Sequence, residues 1–95
     1  MGDTFYFYIV RCSDSSFYCG QTNNLKRRMH EHNSHPTKSA RYTKFRRPVE
    51  LVYFEKYSTL RLAIRREREV KKWSKFKKEL LVVGNENNKG KKANE

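Results

Sequence analysis

The sequence predicts a small α+β domain, a mainly antiparallel three-stranded sheet flanked by helices in the order β-β-α-β-α-α. Two observations carry that reading. Three short runs are dense in aromatic and β-branched residues, and a turn cluster alone separates the first two, which makes a hairpin. After the second and third runs, the apolar residues switch to helical spacing, each time behind residues able to cap a helix.

Thr4 to Arg11 (TFYFYIVR) reads as a strand buried on both faces. Ser13-Asp14-Ser15-Ser16 is the turn, and Phe17 to Gly20 is a short second strand. Thr22-Asn23-Asn24 offers N-caps for a helix from Leu25 to His32. Asn33-Ser34-His35-Pro36 ends that helix, because Pro36 cannot continue it and Asn33 tolerates a left-handed conformation. The basic stretch PTKSARYTKFRRP (36–48) reads as a mostly irregular loop, and Val49 to Phe54 as the third strand. Ser58 or Thr59 caps a second helix running to about Trp73, and Ser74 caps a short third helix through Leu81. From Gly84 the chain carries no apolar residue except Ala93. The expected organisation is therefore one domain over 1–83 and a basic, disordered tail over 84–95, with no internal repeat.

Ninety-five residues leave room for one modest core, and six Phe, six Tyr and one Trp supply much of its area. The formal charge is +12, from 22 Lys and Arg against 10 Asp and Glu. Solubility alone explains such self-repulsion poorly, and a nucleic-acid partner explains it well. A membrane is disfavoured, since no apolar run is long enough to span one and no lipidation signal is present. The N-terminus lacks the pattern of a secretory signal, so the expected location is the cytoplasm, with nucleoid association if the source is bacterial. Cys12 and Cys19 fall on the paired strands; a cross-strand disulfide is conceivable, and two buried thiols is the expected state.

Several polar side chains fall on faces that should be apolar. At roughly 100° per residue, Arg28 and His32 lie on or beside the face set by Leu25 and Met29. Lys26, Arg27, His30 and Glu31 take the flanks and the opposite side. In the second helix Glu67 sits within the stripe of Leu60, Ala63, Ile64 and Val70. A carboxylate buried there costs roughly several kcal/mol without a cation, for which a metal or an arginine would serve. On the first strand Tyr6, Tyr8 and Val10 share a face, and Tyr18 can lie on the same side across the hairpin. Each residue has an ordinary reading: tyrosines as core, Arg28 snorkelling, His32 hydrogen-bonded, Glu67 paired with a nearby base. Two tyrosines, an arginine, a histidine and a glutamate converging on one surface instead suit phosphodiester hydrolysis. Glu would hold Mg²⁺, Arg would fork onto phosphate, and Tyr or His would take a proton from water.

These same residues carry a family resemblance. Tyr8, then Tyr18-Cys19-Gly20, then Leu25-Lys26-Arg27-Arg28-Met29-His30-Glu31-His32-Asn33 resemble the core of the GIY-YIG nuclease superfamily. The resemblance covers about residues 4 to 82 and extends through Lys38-Ser39-Ala40-Arg41-Tyr42-Thr43, Arg46-Arg47-Pro48 and Ala63-Ile64-Arg65-Arg66-Glu67. It is closest to small stand-alone bacterial members, and it is shared with the N-terminal nuclease domain of the excision-repair protein UvrC. The first motif is Tyr6-Phe7-Tyr8, without the family's Gly and Ile, and Cys19 stands in the middle of the second.

The resemblance implies a role for each residue. Tyr8 or Tyr18 would assist deprotonation of the attacking water. Arg28 would bind the scissile phosphate, and His32 would hydrogen-bond or relay a proton. Glu67 would be the single protein ligand of one Mg²⁺ or Mn²⁺ ion, and Gly20 would permit close approach of backbone or substrate. The implied activity is a metal-dependent endonuclease for DNA repair or processing. The alternative is a nucleic-acid-binding module on the same fold, inactive alone or needing a partner.

For substrate contact the candidates are Lys38, Arg41, Tyr42, Lys44, Arg46 and Arg47 in the basic loop, extended by Lys26 and Arg27. In that loop Tyr42 or Phe45 could stack on a base or tuck into the core. Lys71, Lys72, Lys75, Lys77 and Lys78 form a further basic surface, either a second contact or a solvated face. With no targeting domain in the chain, specificity falls to the loop, to self-association or to a protein partner. Single-stranded or branched DNA is then favoured, and RNA stays open. A zinc site from Cys12, Cys19, His30 and His32 is disfavoured by spacing.

Overall fold

Strand β1 (Phe5–Arg11) lies at the centre of the sheet, between β2 (Phe17–Thr22) and β3 (Glu50–Tyr57), and both pairings are antiparallel. The structure, a computed structural model, describes residues 4–87. A central strand with both faces covered cannot alternate apolar with polar residues, and Phe7, Tyr8, Ile9 and Val10 are all buried. The hairpin closes where Cys12 N–H donates to Ser16 (2.8 Å), with Ser15 at φ 71° and Asp14 accepting from Ser16 N–H at 3.0 Å.

Helices cover the two faces of the sheet. On one side Phe7, Ile9, Cys19 and Tyr53 pack against Val70 of α3 (Leu60–Lys71) and Val82 of α4 (Lys75–Asn87). On the other, Tyr8, Val10, Cys12 and Val49 meet Leu25 and Met29 of α1 (Leu25–Ser34). Both cysteines are buried and free, one in each core layer, so neither a disulfide nor a shared zinc site joins them. No helix among the described residues is long and apolar enough to cross a membrane.

Asn24 and Thr59 cap α1 and α3 through their side chains, accepting from Arg27 and Leu62. Strand β2 runs on past Gly20 to Thr22, and other boundaries also differ from the sequence-based expectation. First, α1 runs on to Ser34, because Asn33 stays helical and clamps the chain at Val49, accepting from its N–H (2.7 Å) and donating to its carbonyl (3.0 Å). Second, the segment expected to be irregular contains a one-turn helix, α2 (Arg41–Lys44). Third, β3 continues to Tyr57. Fourth, α4 passes through Gly84 to Asn87, so the expected tail is helical at its start. A glycine costs about 1 kcal/mol in an established helix, less than starting a new one. The rest of that tail, 88–95, lies outside the described residues.

The longer β3 brings in a charge that the sequence reading did not place inside. Glu55 is 2 % exposed and accepts from the hydroxyls of Tyr53 (2.6 Å) and Tyr57 and from Arg66 of α3 at Nε (3.0 Å) and Nη2 (3.1 Å). Burial and the adjacent carboxylate push both phenol pKa values up. A buried carboxylate with this many donors is fully satisfied, and removing its cation leaves an uncompensated charge. Arg66→Met is therefore expected to lower stability by about 3 kcal/mol, measured by urea unfolding at neutral pH; a change within about 0.5 kcal/mol would show that the pair holds nothing together.

Candidate active site

The site is built on Tyr8. Its side chain is 1 % exposed and lies across Gly20, its cross-strand partner on β2. A Cβ at Gly20 would stand 2.6 Å from Tyr8 Cζ. Gly20 therefore makes room for the Tyr8 ring, which is a different task from admitting backbone or substrate.

The Tyr8 hydroxyl meets Nε2 of His32, fully buried on α1, at 2.7 Å. The other ring nitrogen, Nδ1, is 2.8 Å from Oγ1 of Thr43, a fully buried residue of α2. These contacts fix the direction of the protons. The Thr43 hydroxyl donates its single proton to the Ala40 carbonyl (3.0 Å), so it accepts from His32 Nδ1–H. Nε2 is then the bare nitrogen, and the Tyr8 hydroxyl donates to it. Burial, then the charge of Arg28, lower the His32 pKa to about 4, so the ring is neutral at physiological pH. Burial likewise pushes the Tyr8 phenol above its ordinary value, against the pull of Arg28.

Arg28 Nε donates to the Tyr8 oxygen at 3.4 Å. Its Nη1 donates to Glu31 (3.0 Å) and to the Lys38 carbonyl (2.6 Å). Burial alone would lower the pKa of this guanidinium, but its bonds to Tyr8 and Glu31 outweigh that and raise it. Tyr18 packs edge-on against His32 at 5.4 Å between ring centroids and stacks on Tyr42 at 6.0 Å, while Arg46 lies 3.9 Å over the Tyr42 ring. Tyr8, Tyr18, Arg28 and His32 are thus brought together.

Glu67 arrives from the other side of the sheet, on α3, which packs across β1 and β2. It is half-buried, not sunk in the core, and it pairs with Lys71 at 2.8 Å. Its charge bears on Tyr8 and on Cys19, but among the described residues no hydrogen bond joins it to the other four. No group of three or more His, Cys, Asp or Glu side chains among the described residues could hold a metal. The donor set fits Mg²⁺ or Mn²⁺ bound by a single carboxylate whose present partner is an exposed lysine, with water and phosphate oxygens completing the shell.

The expected substrate-contact residues divide into two groups. Lys26, Arg27, Lys38, Arg41 and Lys44 are exposed, Tyr42 is 37 % exposed and Phe45 is 76 % exposed. Arg27 and Arg28 line a cleft of about 430 Å³ with Gln21, Asn23 and Glu31. Arg46 and Arg47 are committed elsewhere. Arg46 pairs with Asp14 at 3.1 Å, and Arg47 caps α1 by donating to the carbonyls of His32 and His35, each at 2.6 Å. Sequence reasoning missed Thr43, although a histidine facing a core needs a partner for each ring nitrogen.

The GIY-YIG catalytic domain profile matches residues 4–79. The chain belongs to the GIY-YIG family. It is 46 % identical over 84 residues to the UPF0213 protein YazA of Bacillus subtilis, covering 88 % of this chain and 83 % of that one. It is 47 % identical over 77 residues to a UPF0213 protein of Bacillus pumilus, covering 81 % and 76 %. Two solution NMR structures are similar. One is a UPF0213 protein of Bacillus halodurans (40 % identity, TM-score 0.54, 84 % of this chain and 83 % of that one). The other is a protein of E. faecalis (37 %, TM-score 0.58, 88 % and 90 %). This GIY-YIG chain thus shares fold and family with small stand-alone proteins.

Two outcomes follow from the geometry. His32 should titrate near pH 4 in the folded protein, read from its imidazole resonances. Because its folded pKa lies below its unfolded one, it favours folding above the unfolded value. That contribution, about 3 kcal/mol, is lost as pH falls from about 6.5 through about 4. A ring that titrates at the ordinary value would contradict the buried relay. Gly20→Ala should displace the Tyr8 ring and destabilise by about 1–3 kcal/mol, with a shift of the His32 Nε2 resonance in imidazole NMR as it loses its phenol donor; an unshifted Nε2 would show that the strands yield instead.

Proposed function

We propose that this GIY-YIG protein is an endonuclease that hydrolyses DNA phosphodiester bonds with one divalent ion, Mg²⁺ or Mn²⁺, in the repair or processing of single-stranded or branched DNA. The observation that carries the reading is the directed chain Tyr8–His32–Thr43, with Arg28 on the Tyr8 oxygen. Arg28 binds the scissile phosphate by exchanging the Lys38 carbonyl for phosphate oxygens. Water attacks phosphorus and gives its proton to the Tyr8 oxygen, while Tyr8 passes its own proton to His32 Nε2. The new P–O bond forms as the bond to the leaving oxygen breaks, and that oxygen departs as an alkoxide that takes a proton from solvent. The phosphodiester charge beside Arg28 offsets the field that keeps His32 neutral, which raises the proton affinity of Nε2 when substrate is present. Glu67 would hold the divalent ion, which when bound would stabilise negative charge on the phosphoryl and leaving oxygens. Tyr18, edge-on to His32 and stacked on Tyr42, walls the site and orients substrate.

One observation favours a second reading, a binding module that acts only with a partner. Arg28 is held by Glu31 and the Lys38 carbonyl and must be released to grip a phosphate. Labelled single-stranded, duplex, flapped and four-way DNA, incubated with Mg²⁺, Mn²⁺ or EDTA, separates the two. Cleavage should require metal and fall at least about 100-fold in Glu67→Ala, with binding retained. Absence of cleavage on every substrate, with salt-sensitive binding intact, would replace the nuclease by the binding module.

A further inference from the structure

We propose that the outer face of α3 is a second nucleic-acid contact. Arg61, Arg65 and Arg68 grip the phosphates of the strand leaving the catalytic site, and Leu60 and Ile64 lie against its sugars and base edges. The proposal rests on the nuclease reading for the point where that strand begins.

The three arginines are exposed, and none of their side chains makes an ion pair or hydrogen bond among the described residues. Most arginines elsewhere are committed: Arg11 to Glu79, Arg28 to Glu31, Arg46 to Asp14, Arg66 to Glu55, and Arg47 to the end of α1. Three guanidinium groups on one helix face, in a chain of net charge +12, raise the self-repulsion of the fold without any internal return. An anionic ligand gives them a partner.

Their placement selects an extended ligand that reaches the catalytic site. With Arg61 as origin and roughly 100° per residue, Arg65 and Arg68 fall within about 40° of it, Ile64 about 60° to one side, and Leu60 and Glu67 about 100–120° to that same side. Around the helix the order is therefore arginines, apolar strip, Glu67. Leu60, Arg61, Ile64, Arg65 and Arg68 line a hollow of about 700 Å³. Leu60 also walls the cleft that holds Arg27 and Arg28, so the two hollows share one side chain. Along the axis Arg61 to Arg68 spans about 10 Å, over which a strand at about 3.4 Å per nucleotide presents about three phosphates. A lipid surface fits less well, because the true apolar face of α3, with Ala63 and Val70, is already buried in the core.

The test reads binding in EDTA, apart from cleavage. A fluorescent single-stranded oligonucleotide is titrated with the full chain over a range of KCl. The variant Arg61→Ala/Arg65→Ala/Arg68→Ala is compared with Lys72→Ala/Lys75→Ala/Lys77→Ala, which removes equal charge from another surface. The arginine variant should bind at least about tenfold more weakly, with a plot of log affinity against log salt shallower by about two, at about 0.7 per phosphate released. The lysine variant should change less on both counts, and circular dichroism should show both folded. If the arginine triple does not fold, Arg65→Ala alone should lower the slope by about 0.7. Equal losses in the two triple variants, or no loss in the arginine variant, would overturn the proposal. So would arginine-dependent binding to phosphatidylglycerol vesicles without arginine-dependent DNA binding. Arginine-dependent binding with no cleavage would remove the nuclease reading and leave the contact standing; cleavage with arginine-independent binding would do the reverse.

Discussion

A phenol and an imidazole, both almost without exposure, share one hydrogen bond between the central strand and the helix above it. Burying two such groups is costly unless every polar atom finds a partner. Much of that side of the molecule supplies those partners. Gly20 clears space for the phenol, Arg28 completes its oxygen, and Thr43 takes the far nitrogen of the imidazole. Thr43 is in place because the basic segment after α1 turns into α2, and that segment is tied back to α1 by Arg47 and, at its end, by Asn33 against Val49. Among the described residues no buried side-chain polar atom is left without a partner.

The same burial sets the charge state of the site. His32 is kept neutral by desolvation and by the guanidinium beside it, and Tyr8 keeps its proton for the first of these reasons. The pair is therefore a closed donor and acceptor in the protein by itself, and under the proposed function a phosphate at Arg28 would offset part of the field that holds it so. Glu31 now neutralises part of that guanidinium, and its own carboxyl is held below the ordinary range by Arg28. Under the proposed function, a phosphate entering the site would compete with Glu31 for a cation that is already in position.

What the sequence reveals depends on periodicity. Alternation in the hairpin and the helical spacing of Leu25, Arg28, Met29 and His32 were enough to put Tyr8, Tyr18, Arg28 and His32 on one side of the sheet. Spacing fails where a contact is made between distant segments. The four residues of α2 are too few to show a helical period, so Thr43 looked like one polar residue among many in a basic loop. Composition could not tell Arg46 and Arg47, which hold the fold, from Arg41 and Lys44, which face solvent. The buried acid was expected at Glu67 and stands at Glu55, because a charged residue after VELVYF reads as the end of a strand and its partner, Arg66, was not expected to face inward.

That displacement explains how Glu67 is aimed. Arg66 and Glu67 are neighbours on α3, roughly 100° apart around its axis. The guanidinium of Arg66 is forked onto Glu55 and lies 5.1 Å from the Trp73 ring, which pins the rotation of the helix against β3. With Arg66 turned to the sheet, Glu67 cannot also enter the core. It comes to the margin of the core, its side chain 17 % exposed and paired with Lys71, close enough for its charge to reach Tyr8. The same rotation turns Arg61, Arg65 and Arg68 to solvent. One buried ion pair far from the chemistry thus orients both the carboxylate and the outward row of arginines. Under the proposed metal role, Glu67 is better placed by its neighbour's burial than by its own, since a fully buried Glu67 would need a resident arginine and would have no oxygen left to offer.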